Sequence, residues 1–203
     1  MALARDTGTR VTGRWVALAL YVAAIYASLP FGPRLGFALL RTAPGSWLLG
    51  GGLPLLTVAG ALGLAGLLCR RRAPAFAYVL LALAGAGYVI AFSWLRAAHL
   101  ERTHLPEYGL AAWLTWRAVG PLLPNPLAGY VAGAAIGTAI GYGDELLQSV
   151  VPGRYYDLRD VAMNAVGAIL GMMVVAAVRS GSARHKAATT GRSAEIATHA
   201  ASL

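Results

Sequence analysis

Charge and cysteine are scarce in this chain. Of its 203 residues only 12% are charged, and Cys69 is the single cysteine. One thiol excludes an intrachain disulfide and any metal site built on paired cysteines. So few charges beside 58% hydrophobic residues exclude an ordinary soluble domain. Also missing are a P-loop, a zinc-protease helix, a nucleophile elbow and a long-period internal repeat. No serine or cysteine sits beside a plausible base, so for a hydrolytic reaction a metal-bound water is the expected nucleophile.

What the chain has instead is long uncharged runs. Hydrocarbon about 30 Å thick takes roughly 20 apolar residues of helix to cross. Residues 15–33, 47–69, 74–95, 105–123, 127–150 and 160–178 reach or approach that length. The expectation is an all-α, polytopic helical membrane protein of about six transmembrane helices. Residues 1–178 form one transmembrane domain and 179–203 a disordered cytoplasmic tail. The basic start followed by an apolar run resembles a signal peptide, but further spans follow and it reads as a retained first helix. Glycines at 129, 133, 137 and 141 mark faces where helices approach closely.

The net charge of +9 comes from arginines at the ends of apolar runs. There the bilayer and its anionic headgroups are the expected partner, and no nucleic acid is. Counting Lys and Arg in alternating loops gives eleven against six in favour of cytoplasmic N- and C-termini. On that orientation Glu101, Glu107, Asp144, Glu145, Asp157 and Asp160 gather on the extracytoplasmic face of the plasma membrane.

Charged groups at a bilayer margin are costly unless paired or used. His104, Glu107 and Tyr108 share a helix face at i, i+3 and i+4. Asp144 and Glu145 precede Gln148 by four and three residues near a helix C-terminus, where the dipole disfavours acids. Asp157, Asp160, Asn164, Gly167 and Gly171 follow one stripe of the last span. These residues predict a cavity between the last three spans. Glu107, Asp144, Glu145 and Asp160 are its candidate catalytic acids and bases. His104, Tyr108, Gln148, Arg154, Asp157 and Asn164 are its candidate ligand-binding groups, with Arg154 as counter-ion. A divalent metal is a candidate cofactor, with His104, Glu107 and Asp144 as its ligands. Plainer roles stand beside these. Asp157 and Asp160 suit a helix cap and first turn, Asn164 suits interhelical hydrogen bonding, and His104 suits an interfacial position.

The segments THLPEYGLAAWL and DELLQSVVPGRYYDLRDVAMNAVGAILG together resemble the VanZ-like family. His104, Glu107 and Tyr108 carry the first half of the pattern. Asp144, Glu145, Gln148, Pro152, Arg154, Asp157, Asp160, Asn164 and Gly167 carry the second. The resemblance covers about 98–178 plus the first helix, leaving 47–95 as an added helix pair. It implies an integral membrane protein of the cell envelope, binding or acting on a lipid or lipid-linked component, with a link to teicoplanin-type antibiotic resistance. The alternative is a non-enzymatic scaffold whose polar network packs helices; a transporter ranks behind both, because the deep parts of the last spans carry no polar groups.

Overall fold

A computed structural model describes the backbone of residues 2–95 and 100–201 and the side chains of 11–95 and 100–181. His99, expected as a surface residue, lies outside them. The regular elements among the described residues are all helical. The helices are α1 (Ala2–Ser28), α2 (Gly32–Leu40), α3 (Ala43–Trp47), α4 (Leu53–Arg70), α5 (Ala75–Trp94), α6 (His104–Val119), α7 (Pro126–Gln148) and α8 (Leu158–Ala201). A π-helical turn, Leu48–Gly52, welds α3 to α4, and a 3-10 turn, Glu101–Thr103, leads directly into α6.

The breaks between helices follow from local chemistry. Asn125 Oδ1 accepts the Ala128 N–H at 2.8 Å and caps α7 just before Pro126, whose missing N–H costs nothing in a first turn. After α7 the chain turns through Gly153 at φ +80, a conformation that a side chain would strain. Between α1 and α4 the chain forms the short helix α2, with Leu35 and Phe37 exposed. The backbone of α8 runs from Leu158 to Ala201.

Four stretches among the described residues are long and apolar enough to cross a membrane: Val11–Ser28, Ala43–Arg70, Ala75–Trp94 and Leu158–Gly181. The expected six therefore becomes four by this measure. At 16 residues α6 spans about 24 Å, short of the hydrocarbon thickness. Although α7 has 23 residues, its glycines supply close packing and little hydropathy. Both helices pack against their neighbours on several sides, so neither depends on lipid-facing apolar residues for burial. Leu105, Tyr108, Ala111, Ala112, Leu114, Thr115 and Ala118 of α6 are all buried.

The core lies around α6 and α8, which run parallel. A Cβ added at Gly171 would sit 2.7 Å from Gly109 Cα, so two backbones touch where only glycine allows it. Antiparallel to this pair run α7, α5 and α1. Ala112, Ala168 and Met172 fill the α6–α8 seam; Leu68, Ala77, Leu81 and Ala177 join α4 and α5 to α8. Leu18, Leu114 and Ala118 hold α1 against α6. The ends of α1, α5 and α7 thus meet the starts of α4, α6 and α8 at one end of the bundle.

Candidate functional site

That end holds every acidic residue whose side chain is described: Glu101, Glu107, Asp144, Glu145, Asp157 and Asp160. The opposite end carries Arg14, Arg70, Arg71, Arg72, Arg117 and Arg179. The segregation follows from the alternating direction of the helices.

The polar site is built from α7, the turn before α8, α8 and α6. From α7, Asp144 and Glu145 are 2% and 0% exposed, so both carboxyls sit among protein atoms. Gln148, one turn on, donates through Nε2 to Asp144 Oδ2 at 3.0 Å and to Glu145 Oε1 at 2.9 Å. Its Oε1 accepts a hydrogen bond from Arg154 Nη2. Arg154 therefore reaches the carboxylates through the Gln148 amide. From the turn before α8, the Asp157 N–H donates to Glu145 Oε2 at 3.2 Å. The Asp157 side chain accepts the Arg159 N–H at 2.8 Å and so caps α8. From α8, buried Asn164 donates through Nδ2 to Gly141 O at 3.1 Å, locking α7 to α8 where a Cβ on Gly141 would strike it.

From α6, the His104 ring stacks on that of fully buried Tyr108, centroids 5.9 Å apart. Glu107 lies on the side of α6 that faces α1, within electrostatic reach of Asp144, and its backbone carbonyl accepts from Tyr21 Oη at 3.1 Å. Tyr26, also from α1, donates to Ile140 O at 2.9 Å. All ten predicted site residues thus lie at one end of the bundle, distributed over two sub-regions. His104, Glu145 and Asp160 bring ligand atoms within 4.8 Å of one another. Glu107 and Asp144 lie beside that trio.

The donors and acceptors of this region are not balanced. Glu101 Oε2, His104 Nδ1, Tyr108 Oη, Asp144 Oδ1, Asp160 Oδ1 and Asn164 Oδ1 are buried and make no hydrogen bond. Tyr108 faces Asp144 and His104 faces Asn164 closely enough for each hydroxyl or imidazole to feel the neighbouring oxygen as a hydrogen-bond partner, but neither pair closes to full bonding geometry. Buried polar atoms in folded proteins are satisfied in the large majority of cases, and exceptions cluster where something is bound or transferred. Burial holds the His104 imidazole below its ordinary pKa despite the opposing pull of Asp144, which favours the neutral, ligating form. Burial and nearby Asp160 raise the Glu101 carboxyl, with Arg159 pulling the other way. A His–Glu–Asp trio of this kind can hold a divalent cation through one nitrogen and two carboxylates.

Two participants escape a reading of the sequence alone. Glu101 pairs with Arg159 Nη2 at 3.0 Å and faces Asp160. Its signal is the spacing to His104 and Tyr108, i, i+3 and i+7, visible only once the 3-10 turn extends the face of α6. Arg102 is buried, 4% exposed, and donates to Leu95 O at 3.2 Å, Leu49 O at 3.0 Å and Gly50 O. Pro54 supplies no N–H for the Gly50 carbonyl, which leaves that acceptor for the guanidinium.

The family model of VanZ/LLP1 matches residues 31–179. The matched stretch contains α4 and α5 as well as the whole polar site. No curated protein and no solved structure matches the chain.

Proposed function

The chain belongs to the VanZ/LLP1 family, and from that premise we propose that it is a multi-pass plasma-membrane protein whose acidic cavity binds or transforms a lipid or lipid-linked component of the cell envelope. The observation that carries this reading is that six of the seven buried, unpartnered side-chain polar atoms among the described residues lie at one end of the bundle, on α6, α7, α8 and the turn before α6; the seventh, Thr115 Oγ1, sits deeper in α6. A network built only to lock helices would satisfy its own atoms, as Asn164 Nδ2 does with Gly141.

A lateral groove favours a lipid over a soluble ligand. It encloses about 630 Å³ between α4, α5, α6 and α8 and is almost wholly apolar. Leu53, Phe92 and Pro106 line it at the acidic end, and Pro106 is two residues along α6 from His104. An acyl or prenyl chain in the groove would place its headgroup beside the carboxylates. In this reading His104, Glu145 and Asp160 hold a divalent cation, Arg154 offers its remaining N–H groups to an anionic headgroup, and Glu107 or Asp144 accepts a proton. The site faces the extracytoplasmic side, following the arginine count. Reduced susceptibility to teicoplanin-type glycopeptides is the expected phenotype.

The test compares susceptibility in cells expressing the chain or its Asp144→Asn, Glu145→Gln and Asp160→Asn variants. Size-exclusion profiles check that each variant folds. Loss of the phenotype with an unchanged profile supports the site. A phenotype that survives all three substitutions removes it, and loss that tracks falling thermal stability favours the scaffold.

A further inference from the structure

At the end remote from the carboxylates, a cavity of about 1420 Å³ opens around the turn between α6 and α7. Arg14, Arg117 and Arg179 line it, and no acidic residue does. Aromatic faces hold two of these guanidiniums in place: Arg117 lies 4.8 Å from the Trp113 ring centroid and Arg179 lies 5.5 Å from that of Trp116. Trp116 is in turn stacked on Tyr130, centroids 6.0 Å apart. Arg14 Nη1 reaches the Arg117 carbonyl at 3.5 Å. None of the three arginines forms an ion pair among the described residues. Stacking orients a guanidinium without neutralising it, and its in-plane N–H groups stay open to an oxyanion. Like charges gathered in one cavity repel until an anion joins them.

The remaining wall is greasy: Leu80, Ile169, Met172 and Met173 extend from the arginines along α5 and α8. Those helices are apolar enough to lie in hydrocarbon. A cationic mouth above an apolar wall at bilayer depth is complementary to one chemical class, a phosphate ester carrying acyl chains. We propose that this cavity is a binding site for an anionic glycerophospholipid, its phosphate held by Arg14, Arg117 and Arg179 and its chains lying against Ile169 and Met173. The site is separate from the acidic one, and its occupancy does not depend on what the acidic site does.

The experiment uses the full chain, delipidated in neutral detergent, with native mass spectrometry and thermal unfolding as readouts. Phosphatidylglycerol, phosphatidylcholine and inorganic phosphate are added in parallel. Phosphatidylglycerol should be retained and raise the melting temperature, phosphatidylcholine should do neither, and inorganic phosphate should compete only weakly. The paired change Arg117→Gln with Arg179→Gln should weaken retention about a hundredfold, the loss of two charged hydrogen bonds. Arg70→Gln with Arg72→Gln removes as much charge from the same end but outside the cavity, and should change little. Arg117→Lys with Arg179→Lys keeps the charge while losing the planar stack; it should bind between the parent and the Gln pair, and it decides the matter if the Gln pair misfolds. Equal retention of the two lipids, equal losses for the cavity pair and the Arg70/Arg72 pair, unweakened binding by the Lys pair, or full displacement by inorganic phosphate would each overturn the proposal.

Discussion

Arg154 and Gln148 form the joint through which the only guanidinium of the α7–α8 turn meets the buried acids: Arg154 donates to Oε1 of the amide whose Nε2 donates to Asp144 and Glu145. An amide in this place relays polarisation while keeping the charges apart. The cation stays on the half-buried side and two carboxyls stay in the interior.

Gln148 and Arg154 should therefore behave as one unit. Gln148→Leu strands Asp144 and Glu145 without their shared donor, at a cost of about 2 kcal/mol for buried acceptors left unpaired. Arg154→Gln alone should cost less. The double variant should fall short of the sum by about 1 kcal/mol, the coupling expected of directly bonded groups. Thermal unfolding of the four proteins in one detergent measures the cycle, and strict additivity would contradict the relay.

Arg102 and Pro54 should be coupled through Gly50. Arg102→Ala leaves three carbonyls at helix breaks without a donor, which should lower stability by roughly 3 kcal/mol. Pro54→Ala restores an N–H that can bond the Gly50 carbonyl. In that background the Arg102 change should cost less. Unfolding midpoints of the two singles and the double test this; an undiminished loss would mean that the guanidinium serves something other than the π-helical turn Leu48–Gly52.

Glycine contacts should separate cleanly into two kinds. Gly171→Ala drives a methyl against the backbone of Gly109, with atoms at 2.7 and 2.9 Å, and should destabilise by about 1–3 kcal/mol. Gly60→Ala meets nothing within 4 Å and should be neutral or up to about 1 kcal/mol stabilising, through helix propensity alone. Detergent-resistance assays of the pair read the contrast.

A divalent cation at the acidic end should stabilise the folded chain. At a concentration about 100 times its dissociation constant, Zn²⁺ or Mn²⁺ should add about 2.7 kcal/mol. His104→Ala or Glu145→Gln should abolish most of that gain, while Glu107→Gln, outside the trio, should keep it. A chelator should reverse the effect. Stabilisation of equal size in every variant would indicate adventitious surface binding.

Much of this arrangement was legible beforehand, and the exceptions are instructive. Asp160, Asn164, Gly167 and Gly171 could be placed on one face of α8 because helical spacing is a local property. The gathering of acids at one end followed from counting helices in alternation. The count itself was too generous: α6 and α7 carry periodic apolar and small residues like spans, yet are too short or too rich in glycine to meet the same measure. Which carboxylates stand nearest His104 was not legible. Glu107 and Asp144 were the candidate partners, whereas the carboxylates whose ligand atoms converge with that of His104 are Glu145 and Asp160, from other helices.

Composition and periodicity alone determined that this is a helical membrane chain, with acids toward one end and arginines toward the other. Hydropathy and charge act residue by residue, so they survive in a linear reading. The rotation of each helix about its axis was decided only in three dimensions, by the contact of Gly109 with Gly171 and of Gly141 with Asn164. That rotation selects which polar atoms share a cavity, because a turn of one residue swings a side chain by about 100°.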